Sequence, residues 1–141
     1  MRLLSHKQLT VSVEETQGIT YIKEVWSGVL MPTIFHKLVY QSLDIYKAKL
    51  KELKGNQKKF LLLADVTKLE IISSKDIEWL ADEINPKYEA LGFTEQAVIV
   101  PKSQSAQTTV SEYEGVTGSF DTRMFLDELS AIRWYLSLIN S

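Results

Sequence analysis

Phe60-Leu61-Leu62-Leu63-Ala64 and Ala97-Val98-Ile99-Val100 are unbroken apolar runs, and their reading decides the fold. Neither alternates with polar residues, so neither has a face to give to water. Each is too short for a helix of ordinary length and is read as a strand covered on both sides, parallel to its neighbours. Two such strands in the middle of a chain require helices on both faces of a sheet.

Working outward, Leu9, Val11 and Val13 alternate with Thr10, Ser12 and Glu14, the pattern of a half-buried strand. Gln17-Gly18 makes a turn. Ile19 to Trp26 is rich in β-branched residues and reads as the second arm of an antiparallel hairpin, broken by Ser27-Gly28. Pro32 opens a long amphipathic helix whose stripe is Phe35, Leu38, Val39, Leu43, Tyr46, Leu50 and Leu53, closed by Gly55-Asn56. After Phe60–Ala64, the stretch Asp65 to Glu70 leads away from the sheet. Ser73-Ser74 then caps a second helix with Ile77, Leu80, Ala81 and Ile84 inward, kinked or restarted at Asn85-Pro86 and ended by Gly92. Pro101 closes the strand Ala97–Val100. Ser103 to Glu114 reads as a third helix and Gly115 to Ser119 as a loop. Arg123-Met124-Phe125 reads as a last strand, and Asp127-Glu128 starts a terminal helix with Leu129, Ile132, Tyr135, Leu136 and Ile139 inward. The order is β-β-α-β-α-β-α-β-α. This is an α/β chain, with a mixed sheet of about five strands and four helices and right-handed crossovers. With no linker, repeat or low-complexity segment, residues 1–141 are read as a single domain.

Composition agrees. Of 141 residues, 45% are apolar and 24% charged, which excludes a disordered chain, and no apolar run approaches a membrane span. Cysteine is absent, so disulfides, thiolate metal sites and Cys nucleophiles are excluded. The first residues, Met1 to Lys7, lack the apolar stretch of a secretory signal, and the expected location is cytoplasmic. The net charge of −2 argues against nucleic acid. Residues 1–59 carry +5 and residues 60–141 carry −7. Lys47, Lys49, Lys51, Lys54, Lys58 and Lys59 form a basic run without an interleaved aromatic residue; it reads as the solvated end of a helix, or else a docking patch for an acidic partner or membrane headgroups.

No motif carries an enzyme reaction. There is no Gly-x-Ser-x-Gly elbow and no phosphate-binding glycine loop. His36 has Val39 and Tyr40 three and four residues on, which does not make a metal pair. No cofactor is implied. Asp65, at the C-terminal end of a buried strand, is either a loop cap or a ligand-binding carboxylate. Trp79 and Trp134 fall beside the stripes of their helices, at positions that fit a helix edge, a self-association (homodimer) surface or the lip of an apolar cavity.

The terminal stretch Arg123-Met124-Phe125-Leu126-Asp127-Glu128-Leu129-Ser130-Ala131-Ile132-Arg133-Trp134-Tyr135-Leu136 resembles the ending of SpoIIAA-like proteins. These are small members of the STAS-like group, named after sulfate transporters and anti-sigma-factor antagonists. Trp26-Ser27-Gly28 resembles the glycine-containing strand exit of the same family. The resemblance implies a non-enzymatic regulatory domain that binds a protein partner. In the antagonists an Asp-Ser-Ser-Gly-Leu helix start carries a phosphorylated serine. Here Ser73 falls on its Asp, Ser74 on the phosphoacceptor, Lys75 on the second Ser and Asp76 on the Gly, so only the acceptor is kept. The partner surface expected on this basis comprises Asp65, Lys68, Ser73, Lys75, Asp76 and Trp79, gated at Ser74. The alternative is a small apolar-ligand or lipid binder, because SpoIIAA-like chains also resemble the CRAL-TRIO lipid-binding topology and Phe35, Val39 and Tyr46 lie where they could roof a cavity. A third reading is an enzyme built on Asp65.

Overall fold

The computed structural model describes residues 1–53, 60–99 and 121–140. One sheet of six strands runs in sequence order: β1 (Arg2–Ser5), β2 (Leu9–Thr16), β3 (Ile19–Val29), β4 (Phe60–Ile71), β5 (Phe93–Ile99) and β6 (Asp121–Phe125). The pairs β1–β2 and β2–β3 are antiparallel, whereas β3–β4, β4–β5 and β5–β6 are parallel. The two apolar runs lie side by side, with Leu63 opposite Ala97 and Ala64 opposite Val98. Leu61, Leu62 and Leu63 are all fully buried.

Helices cover both faces. On one lie α1 (Pro32–Leu53), α2 (Ser74–Trp79) and α3 (Asn85–Leu91), the last two joined by a π-helical turn at Leu80–Ile84. On the other lies α4 (Glu128–Ile139). Along β4, Phe60, Leu62 and Val66 pack with the α1 stripe, while Leu61 and Leu63 pack with Ala131, Ile132 and Tyr135 of α4. Each large apolar side chain so buried contributes about 1.5–3 kcal/mol, so both helical layers are tied to the sheet through this strand.

Several elements differ from the sequence reading. Among the described residues the sheet has six strands rather than about five: β1 is four residues long, too short to show a period, and exists by pairing with β2. Ser27-Gly28 does not break β3, which runs to Val29 with Gly28 at φ 83°. The segment Asp65–Glu70 does not leave the sheet but continues β4 to Ile71. Val25 faces Asp65 and Ser27 faces Lys68, so β4 has one residue more than β3 across this interval, a bulge. The second helix is not continuous: the backbone loosens into the π-helical turn before Asn85-Pro86 restarts it, since Pro86 has no N–H to give to the preceding turn. Gly92 closes α3 in the left-handed region, as expected. The helix end at Gly55-Asn56, the end of the strand at Val100-Pro101, the third helix at Ser103–Glu114 and the loop at Gly115–Ser119 lie outside the described residues.

Candidate functional site

Inward positions of β3 alternate, so Ile22, Glu24 and Trp26 share the face that α1 covers. Glu24 is thereby carried into the core and is only 3% exposed. Two donors meet its carboxyl. The indole Nε1 of Trp26 donates to Oε1 at 2.9 Å, and the Tyr46 hydroxyl, brought by α1, donates to Oε2. Burial pushes the Glu24 carboxyl above the usual carboxylate range, against the lowering effect of the Tyr46 and Trp26 hydrogen bonds. Burial, with the neighbouring Glu24 and Tyr88, also pushes the Tyr46 hydroxyl well up.

Beside this carboxyl is a cavity of about 70 Å³. One water needs roughly 10–15 Å³ on such a measure, so the space holds several heavy atoms. Its walls are Trp26 and Leu30, Phe35 and Val39 of α1, Ala64, Val66 and Leu69 of β4, Ile77 of α2, Leu80 of the π-helical turn, and Val98 of β5. Glu24, Gln96 and Tyr88 are its polar lining residues. The cavity lies toward the C-terminal ends of the parallel strands, the end where open α/β sheets receive ligands.

A second cluster sits over the cavity wall. Ser73 caps α2, its hydroxyl accepting from the Asp76 backbone N–H at 3.1 Å. Asp76 is 3% exposed, and its Oδ1 is 2.7 Å from Nε2 of His36 on α1. Among the described residues its Oδ2 is buried without a hydrogen-bond partner. The His36 imidazole stacks on the Trp79 indole, and Phe35 packs edge-on against Trp79, with centroids 5.8 Å apart. Phe35 therefore belongs both to the cavity wall and to the aromatic cluster.

The residues singled out in the sequence are distributed as follows. Asp76 and Trp79 come together on α2, with Ser73 as its cap. Ser74 and Lys75 are exposed at its first turn. Asp65 is apart from them and is not at a strand end. It lies within β4, on the face of Leu61 and Leu63, with Oδ1 accepting from the N–H and hydroxyl of Thr67 at 3.0 and 2.7 Å. It braces the bulge. Lys68 is exposed on the same strand, opposite Ser27. Trp134 packs against Phe125, with the Arg123 guanidinium 5.7 Å from its ring centre. Sequence reasoning missed Glu24, Trp26 and Tyr46 as a unit. One signal was present: a carboxylate at an inward position, between Ile22 and Trp26.

Among the described residues, no helix is long and apolar enough to cross a membrane. No protein-family model matches the chain, and no curated protein matches it. Among solved structures it is similar to an uncharacterised protein of the DUF3478 family from Shewanella loihica PV-4, which has a SpoIIAA-like fold. The TM-score is 0.59 at 15% identity, over 94% of this chain and 98% of that one. The resemblance drawn from the sequence and the superposition of nearly the whole chain agree: the fold is SpoIIAA-like.

Proposed function

We propose that this chain is a non-enzymatic binding domain whose cavity takes a small, mainly apolar ligand. The observation that carries this reading is the 70 Å³ space itself, walled by aliphatic and aromatic side chains and bordered by a few buried polar groups. That lining is the usual make-up of a small-molecule site, and the volume, below the roughly 300 Å³ at which such pockets ordinarily start, restricts the occupant to a short molecule. The test is NMR of the protein with 1-hexanol, together with native mass spectrometry of freshly purified protein. Chemical shifts of the Val98, Leu69 and Ile77 methyl groups move on titration, and Ala64→Leu, which adds bulk at the wall, suppresses the effect while urea melting reports a folded protein. Methyl shifts that stay put in the wild type, or that move equally in folded Ala64→Leu, would defeat the proposal.

A second reading is regulation through a protein partner in the manner of anti-sigma-factor antagonists. Ser74 and Lys75 are exposed at the start of α2, which favours it. A phosphate on Ser74 would gain from the helix start and lose from nearby Asp76 and Glu78. On this reading Ser74→Asp and Ser74→Glu change partner recovery without unfolding the protein. Equal recovery of the same proteins by wild type and both variants would end it.

A further inference from the structure

Among the described residues, Glu24 is a carboxyl without a cation. Among the described residues its partners are the neutral Trp26 indole and Tyr46 hydroxyl, and no Lys, Arg or His forms an ion pair with it. Buried carboxylates are normally paired, because neutral donors replace only part of the lost hydration. A carboxylate has about four acceptor positions on its two oxygens, and the two hydrogen bonds occupy two of them. The group is also a lining residue of the cavity, beside the aromatic rings of Trp26 and Phe35. An ammonium ion would find there both an anion and aromatic rings, which attract cations at their faces.

We propose that Glu24 is the counter-ion for a small aliphatic amine, so that the cavity selects a molecule with a short apolar body and one cationic head. This rests on the cavity being a ligand site. The hydrocarbon part meets Val39, Leu69 and Val98, while the head sits against the Glu24 carboxyl. An aliphatic acid of the same length is refused, because its own carboxylate would be buried beside the Glu24 carboxyl with no cation to balance it. Burial of Glu24, which disfavours its charge in the empty site, is consistent with a group that ionises when a cation arrives.

The experiment compares hexylamine, 1-hexanol and hexanoate, three probes of equal chain length, by calorimetry and NMR at neutral pH. Hexylamine is expected to bind wild type about thirtyfold more tightly than 1-hexanol, the scale of a buried charge pair. Hexanoate is expected to bind more weakly than either. Glu24→Gln keeps the shape of the side chain and should bring hexylamine down to the level of 1-hexanol or below it, since the ammonium then lies buried without its counter-ion, while leaving 1-hexanol unchanged. Hexylamine binding no tighter than 1-hexanol, hexanoate binding as well as hexylamine, or Glu24→Gln weakening amine and alcohol alike would overturn the counter-ion while the cavity reading survived. If none of the three bound, both would fall. The wild-type comparison needs no variant, so it decides the matter even if Glu24→Gln does not fold.

Discussion

The imidazole of His36 lies flat on the indole of Trp79, with ring centroids 3.6 Å apart and planes 5° apart. The same imidazole meets Asp76 through Nε2. Two residues three positions apart on one short helical turn thus hold a single residue of α1. That contact fixes α2 over the wall of the cavity, through Phe35 and Ile77.

His36→Ala removes both contacts and leaves the Asp76 carboxylate buried with neither oxygen bonded to a side chain. The His36 side chain is 36% exposed, which moderates the loss. The variant should be less stable by about 2 kcal/mol in urea unfolding. Amide exchange at Ile77 and Leu80 should quicken with it, because the turn loses its anchor. An unaltered urea midpoint would show that the stack does not hold α2.

Glu24 makes stability depend on pH in an unusual direction for an acid. Its carboxyl is raised in the folded chain above the ordinary value of 4.5. Between that value and the folded one, the native state binds more protons than the unfolded state, so stability falls as pH rises. The contribution is complete below about pH 4.5 and is lost as pH climbs through the folded value. The groups facing it are Trp26 on its own strand, Tyr46 from α1 and, next to Tyr46, Tyr88 from α3. In paired urea titrations from pH 4 to 8, wild type should lose stability relative to Glu24→Gln. A constant difference across the range would refute the assignment.

Gly28 sits in β3 at φ 83°, a backbone state that L side chains adopt at a cost. A Cβ there would meet only the Gln8 Nε2 atom, at 3.5 Å, an ordinary contact. Gly28→Ala should therefore destabilise through the backbone alone, by about 1–2 kcal/mol. The same substitution at Gly18, φ 82°, with open space around its Cβ, should cost a similar amount. A much larger loss at Gly28 alone would point to packing instead.

On the opposite face, Glu128 in the first turn of α4 accepts from the Tyr21 hydroxyl at 2.5 Å and pairs with Lys23 at 2.7 Å. Burial, then the hydrogen bond and charge of Glu128, push the Tyr21 hydroxyl up. Both β3 residues point away from the cavity, so this clamp joins α4 to the sheet independently of the ligand face. Glu128→Ala should cost about 1–2 kcal/mol in thermal or urea unfolding, part of it recoverable as a salt dependence of the wild type. It should leave methyl shifts at Val98 and Leu69 untouched. Perturbation there would mean that the two faces are coupled.

The helix stripes and the buried strands were legible because their signals are local. Phe35 through Leu50 repeats at the period of a helix, and Phe60–Ala64 has no polar residue to turn outward. The helix starts at Ser73-Ser74 and Asp127-Glu128 were legible for the same reason, and the structure makes Ser73 and Asp127 the capping residues. β1 was not, because four residues carry no period and acquire a structure only when β2 offers them hydrogen bonds. The length of β4 was not, because Asp65 and Thr67 look like turn residues until a bulge lets them bond each other inside a sheet.

By itself, then, the chain determined two covered strands, a long amphipathic helix and the chemistry of each cap, since those depend on neighbours a few positions away. It also placed Asp76 and Trp79 on one short helix capped at Ser73-Ser74. Only the tertiary structure decided that Glu24 would meet Trp26 and Tyr46 beside a hollow, that His36 would find Asp76 forty positions on, and that Asp65 would fall on the far side of the sheet. The physical reason is that burial and pairing of a charge depend on what the rest of the fold brings against it, and no local period carries that information.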